Sequence, residues 1–265
     1  MTVFWRTLRS RKRSLLAWSL GLIGLIGVTV AAYPSIANQD GFNDFIDDYP
    51  EFVQEILGLG SGLSITEPAG YLNSQFFANM LPLLFIIFLV SFAVRETATD
   101  EKEGTLDLVA AHPIARGRLM LEKAAAQLVA GIGLAVLSIL VFLVSTPLAS
   151  MDIGIDALWG ATASVFLVGF VFGSLAFGLG AATGKRGVAL GLSSGLAVAT
   201  YILWGLAPLI DGISSLEGLS PFFWALTGDP ILNGVQAGNA LLLVGVGLVF
   251  AAGGVLMFQR RDIGV

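Results

Sequence analysis

Six stretches of this chain contain no charged side chain: Ser14–Gln39, Pro68–Val94, Ala124–Met151, Ala157–Gly184, Gly187–Ile210 and Pro230–Gln259. The shortest is 24 residues long. A helix rising about 1.5 Å per residue needs about 20 residues to cross the hydrocarbon of a bilayer. A charge at mid-span would cost roughly 2.5–3.5 kcal/mol on insertion scales, which accounts for its absence from all six runs. Backbone in lipid must satisfy its own hydrogen bonds, so a span is a helix or a barrel strand. Barrel strands alternate polar and apolar residues, and runs such as Leu81–Val90 do not. The expected fold is therefore an all-α membrane protein. Its six transmembrane helices are expected near 14–33, 71–94, 121–147, 157–183, 188–210 and 237–258, in one domain covering 1–265.

Composition agrees. Of the 265 residues 55% are hydrophobic and 12% charged, against about 25% charged in an ordinary soluble domain. A soluble domain of this size must cover its surface with polar groups, so lipid is the expected solvent here. With no Cys, disulfides, thiolate metal sites and cysteine nucleophiles are excluded. The single His112 excludes multi-histidine metal sites.

The charges that remain are segregated. All fourteen Lys and Arg lie before the first run, between the second and third, between the fourth and fifth, or after the sixth. The three alternate segments hold twelve acids, Asp40 through Glu67, Asp152 and Asp156, then Asp211, Glu217 and Asp229, and no base. Cytoplasmic loops of membrane proteins are enriched in Lys and Arg, so a multi-pass protein of the cell membrane with both termini cytoplasmic is expected. The basic start, the apolar run and Val30-Ala31-Ala32 could form a cleavable signal peptide. The run is longer than a signal core and five more follow, which favours an uncleaved anchor. Val3, Phe4, Trp5 and Leu8 interleave with Arg6, Arg9 and Lys12, the pattern of a short helix lying in the membrane interface.

The outside segments carry their own helix signals. Phe42, Phe45, Ile46, Tyr49, Phe52, Val53, Ile56 and Leu57 keep a helical period interrupted by Pro50, which predicts two short amphipathic helices on the outer face. Ser220-Pro221 and Asp229-Pro230 each pair a capping residue with a first-turn proline, so short helices are expected over Phe222–Leu226 and Ile231–Val235. Gly187, Gly191 and Gly195 share one helix face, as do Gly169 and Gly173. Small residues four apart let helices approach closely, and packing within the bundle is preferred over a dimer seam for both sets.

The largest inside segment, Arg95–Arg118, mixes acids and bases. Thr105 can cap a short helix with Asp107 in its first turn, and Pro113 disfavours helix at His112. Leu106, Val109 and Ala110 then form a small apolar face close to the membrane, suited to docking a cytoplasmic partner. A solvated loop with one helical turn remains the plainer alternative. The order Glu101-x-Glu103-Gly104-Thr105-Leu106-Asp107-Leu108, then Pro113-Ile114-Ala115-Arg116 and Lys123, resembles the signature of the type-2 ABC exporter permeases. Pro68-Ala69-Gly70-Tyr71-Leu72, Pro82, Leu219-Ser220-Pro221-Phe222 and Arg260-Arg261 extend that resemblance along nearly the whole chain.

The resemblance implies several roles. The segment carrying Glu96, Glu101, Glu103, Gly104, Thr105, Leu106, Asp107, Leu108, His112, Pro113 and Arg116 would be the coupling segment, its helix seated in a groove of the ATPase. The N-terminal segment with Phe4, Trp5 and Leu8 would be the elbow helix. Two permease subunits, alike or different, would pair in membrane lipid, each with a nucleotide-binding ATPase subunit. No phosphate-cradling Gly-x-x-x-x-Gly-Lys-Ser/Thr loop is present, so no cofactor is expected on this chain, and ATP and Mg would belong to the ATPase. No nucleic-acid partner and no metal are expected. Ser138, Thr200, Tyr201 and Trp204 are candidates for a substrate path or dimer seam, in spans whose apolar, hydroxyl and aromatic lining would suit a hydrophobic or amphipathic cargo. No carboxylate lies within a charge-free run, unlike most ion-coupled carriers, and His112 stands beside no buried serine nucleophile. The competing functions are a membrane scaffold or sensor partner using the same loop, and an ATP-independent channel or carrier.

Overall fold

The computed structural model of the chain describes residues 3–37, 63–99, 115–207 and 214–261, with 49, 50, 53, 210 and 212 described singly between them. The short first helix, α1 (Val3–Ser10), buries Val3 and Thr7, one turn apart, and leaves Trp5 exposed. The chain then turns at Arg11 into α2 (Lys12–Ala37), which buries only Leu22, Ile26, Val30 and Tyr33. Their spacing of four, four and three places them on one face.

Next comes α3, the long helical segment Pro68–Ala98, which is not regular throughout. A wider π-type turn, Asn73–Phe77, interrupts it, and the helix restarts at Met80 after Asn79. Pro82 falls in the first turn of the restarted stretch, where its missing N–H has no helical carbonyl to bond. Asn79 Nδ2 donates to the Ser74 carbonyl at 3.1 Å, taking up an acceptor inside the wide turn. A second π-type turn, Arg95–Thr99, ends the segment.

Beyond it run α4 (Arg116–Ser145), α5 (Ile155–Thr183) and α6 (Arg186–Leu206). α5 stops at Gly184, whose φ of 63° is the left-handed conformation that commonly closes a helix. Two short helices follow, α7 (Pro221–Leu226) and α8 (Pro230–Asn233), before α9 (Ala237–Arg260). Six helical segments, α2, α3, α4, α5, α6 and α9, are long and apolar enough to cross a membrane.

α5 is the hub, packing on α3, α9, α6 and α4. Glycine makes this approach close. A Cβ placed on Gly169 would lie 2.6 Å from the Phe85 Cβ, and one on Gly173 would lie 2.6 Å from the Leu89 Cβ. Gly178 of α5 and Gly254 of α9 face each other with the same lack of room. The Gly169–Gly173 pair therefore packs within the bundle, as expected. Gly187, Gly191 and Gly195 do not: among the described residues nothing lies within 4 Å of a Cβ at any of them, which corrects the expectation of packing inside the bundle.

Between α3 and α4, Phe76, Phe77 and Phe142 are fully buried with ring centroids 5.3–6.0 Å apart. Tyr33 and Tyr71 join α2 to α3 by donating to the Thr66 and Thr29 carbonyls. In contrast, only 17% of the span window of α2 and of α6 is buried, and their open faces carry Leu16, Leu20, Val28, Leu192, Val198 and Ile202.

Several boundaries differ from expectation. α2 runs on to Ala37 rather than 33, α3 covers Pro68–Ala98 rather than 71–94, α4 starts at Arg116 rather than 121, and α6 stops at Leu206 rather than 210. Ser220 caps α7 by accepting from the Phe222 N–H at 3.2 Å, but Asp229 makes no side-chain cap. With Gly228 and Asp229 both at positive φ, the Asp229 backbone carbonyl accepts from Leu232 and Asn233, and α8 closes at Asn233 instead of Val235. The two helices expected around Phe42–Leu57 lie almost wholly outside the described residues.

Candidate functional site

At the basic end of the bundle several helices are tied together by polar side chains. Arg11, in the turn between α1 and α2, donates from Nε to Glu96 Oε1 at 2.5 Å. Glu96 belongs to the π-type turn that ends α3, and its side chain is only 3% exposed. Lys123, from the second turn of α4, is also buried and donates from Nζ to the Glu96 carbonyl at 2.5 Å. A wide turn departs from the regular i to i−4 ladder, and here its Glu96 carbonyl meets a side chain from another helix. One turn further in, Gln127 Nε2 donates to the Leu89 carbonyl at 3.3 Å.

The same end holds α1 and α9. The Phe4 backbone N–H donates to Glu122 Oε2 at 3.1 Å, and Arg118 Nε donates to Glu122 Oε1 at 3.0 Å. Arg116 Nη1 donates to the Arg261 carbonyl at 2.9 Å. α1, α2, α3, α4 and α9 are thus joined at one level. Buried polar groups are costly unless paired, and these pairings explain how α4 carries Glu122 and Lys123 past the boundary of the apolar run.

Of the predicted coupling residues, the structure places Glu96 and Arg116 in this cluster, one on each side of the connection between α3 and α4. Glu101, Glu103, Gly104, Thr105, Leu106, Asp107, Leu108, His112 and Pro113 lie outside the described residues. Phe4, Trp5 and Leu8 are on α1, and Leu8 packs against the core while Trp5 is exposed. Arg11, Glu122 and Lys123 were not singled out from the sequence as partners. The available signal was their depth, since each lies within a turn or two of the same membrane boundary as Glu96.

Two cavities lie beside α3. The first, about 350 Å³, is bounded by α2, α3 and α6, with Arg11, Trp18, Phe88, Arg95 and Arg186 in its wall. The second, about 440 Å³, runs between α3 and α6 past Leu83, Val90, Ala197 and Tyr201. Ser91 and Leu190 line both. The Tyr201 hydroxyl donates to Asn79 Oδ1 at 2.7 Å, and its ring meets Phe222 at 5.2 Å. The four path candidates separate here. Tyr201 lines the second cavity, and Trp204 stacks on Phe222 and meets Tyr201 at a tilt beside it. Thr200 bonds back to the Leu196 carbonyl at the partly open face of α6. Ser138 is fully buried and donates to the Leu134 carbonyl. Among the described residues no cluster of three acids or histidines could hold a metal.

Six apolar helical segments crossing side by side, tied at one end by a polar cluster and split by an apolar cavity, define a multi-pass membrane protein. The sequence model of the ABC-2 family transporter proteins matches residues 1–263, and the chain belongs to that family. It is thus the membrane permease component of an ATP-binding cassette transporter, a family that implies partnership with an ATP-binding subunit. A comparison with curated proteins found no match.

Proposed function

We propose that this permease moves a hydrophobic or amphipathic cargo out of the cell, driven by ATP that a separate subunit hydrolyses at the basic end of the bundle. The observation that carries this reading is the Arg11–Glu96–Lys123 cluster. The connection between α3 and α4 leaves one turn after Glu96 and returns at Arg116, so both of its roots are held by helices that cross the membrane. A push arriving at Glu96 and Arg116 would reach α2, α3, α4 and α9 together. The positive-inside pattern supports a cytoplasmic basic end with both termini on that side.

The cavity between α3 and α6 is the candidate cargo path, with Asn79, Ser91, Ser194 and Tyr201 as the polar residues of a mainly apolar wall. The uncovered faces of α2 and α6, including the open Gly187–Gly191–Gly195 stripe, support a seam for a second permease subunit. Two substitutions test the coupling role of the loop. Glu103→Arg or Leu106→Asp is expected to lower ATP-dependent flux in reconstituted vesicles and co-purification of the ATPase subunit, with membrane insertion intact. Undiminished co-purification with both variants would remove the docking assignment. Flux that needs no nucleotide would favour a carrier, and the absence of flux a scaffold.

A further inference from the structure

We propose that the cavity bounded by α2, α3 and α6 is a binding site for a membrane phospholipid with an anionic headgroup. The site requires only the bundle itself, and the inference does not depend on which cargo the permease moves. Ten residues line the cavity, three of them arginines and none an acid. Arg11 is engaged by Glu96. Arg95 and Arg186 are exposed and, among the described residues, their side chains have neither an ion pair nor a hydrogen bond. Two arginines without a side-chain partner among the described residues therefore line one volume of about 350 Å³. Arg186 is also the first residue of α6, the helix end at which the backbone dipole favours negative charge.

The rest of the wall decides between a lipid and a soluble anion. The wall also holds Trp18, Phe88 and Leu190, and it shares Ser91 and Leu190 with the apolar cavity between α3 and α6. A free anion would use the guanidinium groups and leave this apolar wall uncovered. A phospholipid uses both, with its head at the level of Arg95 and Arg186 and the start of an acyl chain against Trp18, Phe88 and Leu190. The site lies at the basic end of the bundle, at the membrane boundary where headgroups reside. Basic pockets between transmembrane helices bind anionic headgroups in this way.

Trp18 in the cavity wall supplies the readout. The full-length protein is placed in phosphatidylcholine vesicles containing a graded fraction of dibrominated phosphatidylglycerol or dibrominated phosphatidylcholine. Trp18 quenching is taken as the difference from Trp18→Phe. Each cation near the surface favours an anionic lipid by about fivefold, so with two of them the glycerol lipid should quench Trp18 at roughly one twenty-fifth of the fraction needed for the choline lipid. Arg95→Gln combined with Arg186→Gln is expected to bring the two lipids to parity. Arg260→Gln, at the same boundary outside the cavity, should leave the preference unchanged. Parity in the unaltered protein, or a preference surviving the double substitution, would overturn the site. Loss of the preference on adding inorganic phosphate would assign the cavity to a soluble anion and overturn it equally.

Discussion

Arg11 Nε lies 2.5 Å from Glu96 Oε1, joining the turn that leads into the first membrane-crossing helix to the turn that ends the second. The two side chains are 15% and 3% exposed, so the pair is largely withdrawn from water without being sealed. Removing one partner of a fully buried pair typically costs about 3–5 kcal/mol, because the other charge is left unpaired. At this partly open site, Glu96→Ala is expected to cost about 2–3 kcal/mol, read as lost resistance to detergent unfolding. Arg11→Ala and Glu96→Ala should be coupled by more than about 1 kcal/mol in a double-mutant cycle. Strictly additive losses would show that the pair does not hold the two helices together.

The two glycine sets give opposite expectations. Gly169→Val puts carbon where Phe85 already is and should destabilise the bundle by about 1–3 kcal/mol. Gly191→Val meets nothing among the described residues, so the melting temperature of the single subunit should hold. If α6 forms the seam with a second subunit, Gly191→Val should also lower the dimer fraction measured by light scattering. An unchanged dimer would move the seam elsewhere.

Tyr201→Phe keeps the ring beside Phe222 and removes the hydroxyl donated to Asn79. The loss should be about 0.5–1.5 kcal/mol of stability. Tyr201→Ala also removes the ring that contacts Phe222, and should lower the melting temperature further. Equal effects of the two substitutions would mean that the ring contributes nothing beyond its hydroxyl.

These contrasts show where the sequence is legible. A missing charge is a property of single residues, so the six helices could be read from runs of uncharged positions. Spacing of four tells which glycines share a helix face, but not what covers that face. Gly169 and Gly173 meet α3, whereas Gly187, Gly191 and Gly195 meet nothing among the described residues. The start of α4 falls at Arg116 rather than 121 because Arg116 and Arg118 read as loop charges in a hydropathy window, while the Arg261 carbonyl and Glu122 satisfy them. The first of those partners lies far along the chain. The π-type turns at Asn73–Phe77 and Arg95–Thr99 leave no compositional mark, and the second presents the Glu96 carbonyl to Lys123.

The assignment of the basic end to the side where the ATPase acts is tested most directly by labelling two single-cysteine variants. The native chain has no Cys, so Asp48→Cys and Arg116→Cys each provide one reactive thiol. A membrane-impermeant maleimide should label Asp48→Cys on intact cells and Arg116→Cys only after the membrane is opened. Labelling of both positions from the same side of intact cells would contradict the topology, and with it the proposed docking of the ATPase on the connection between α3 and α4.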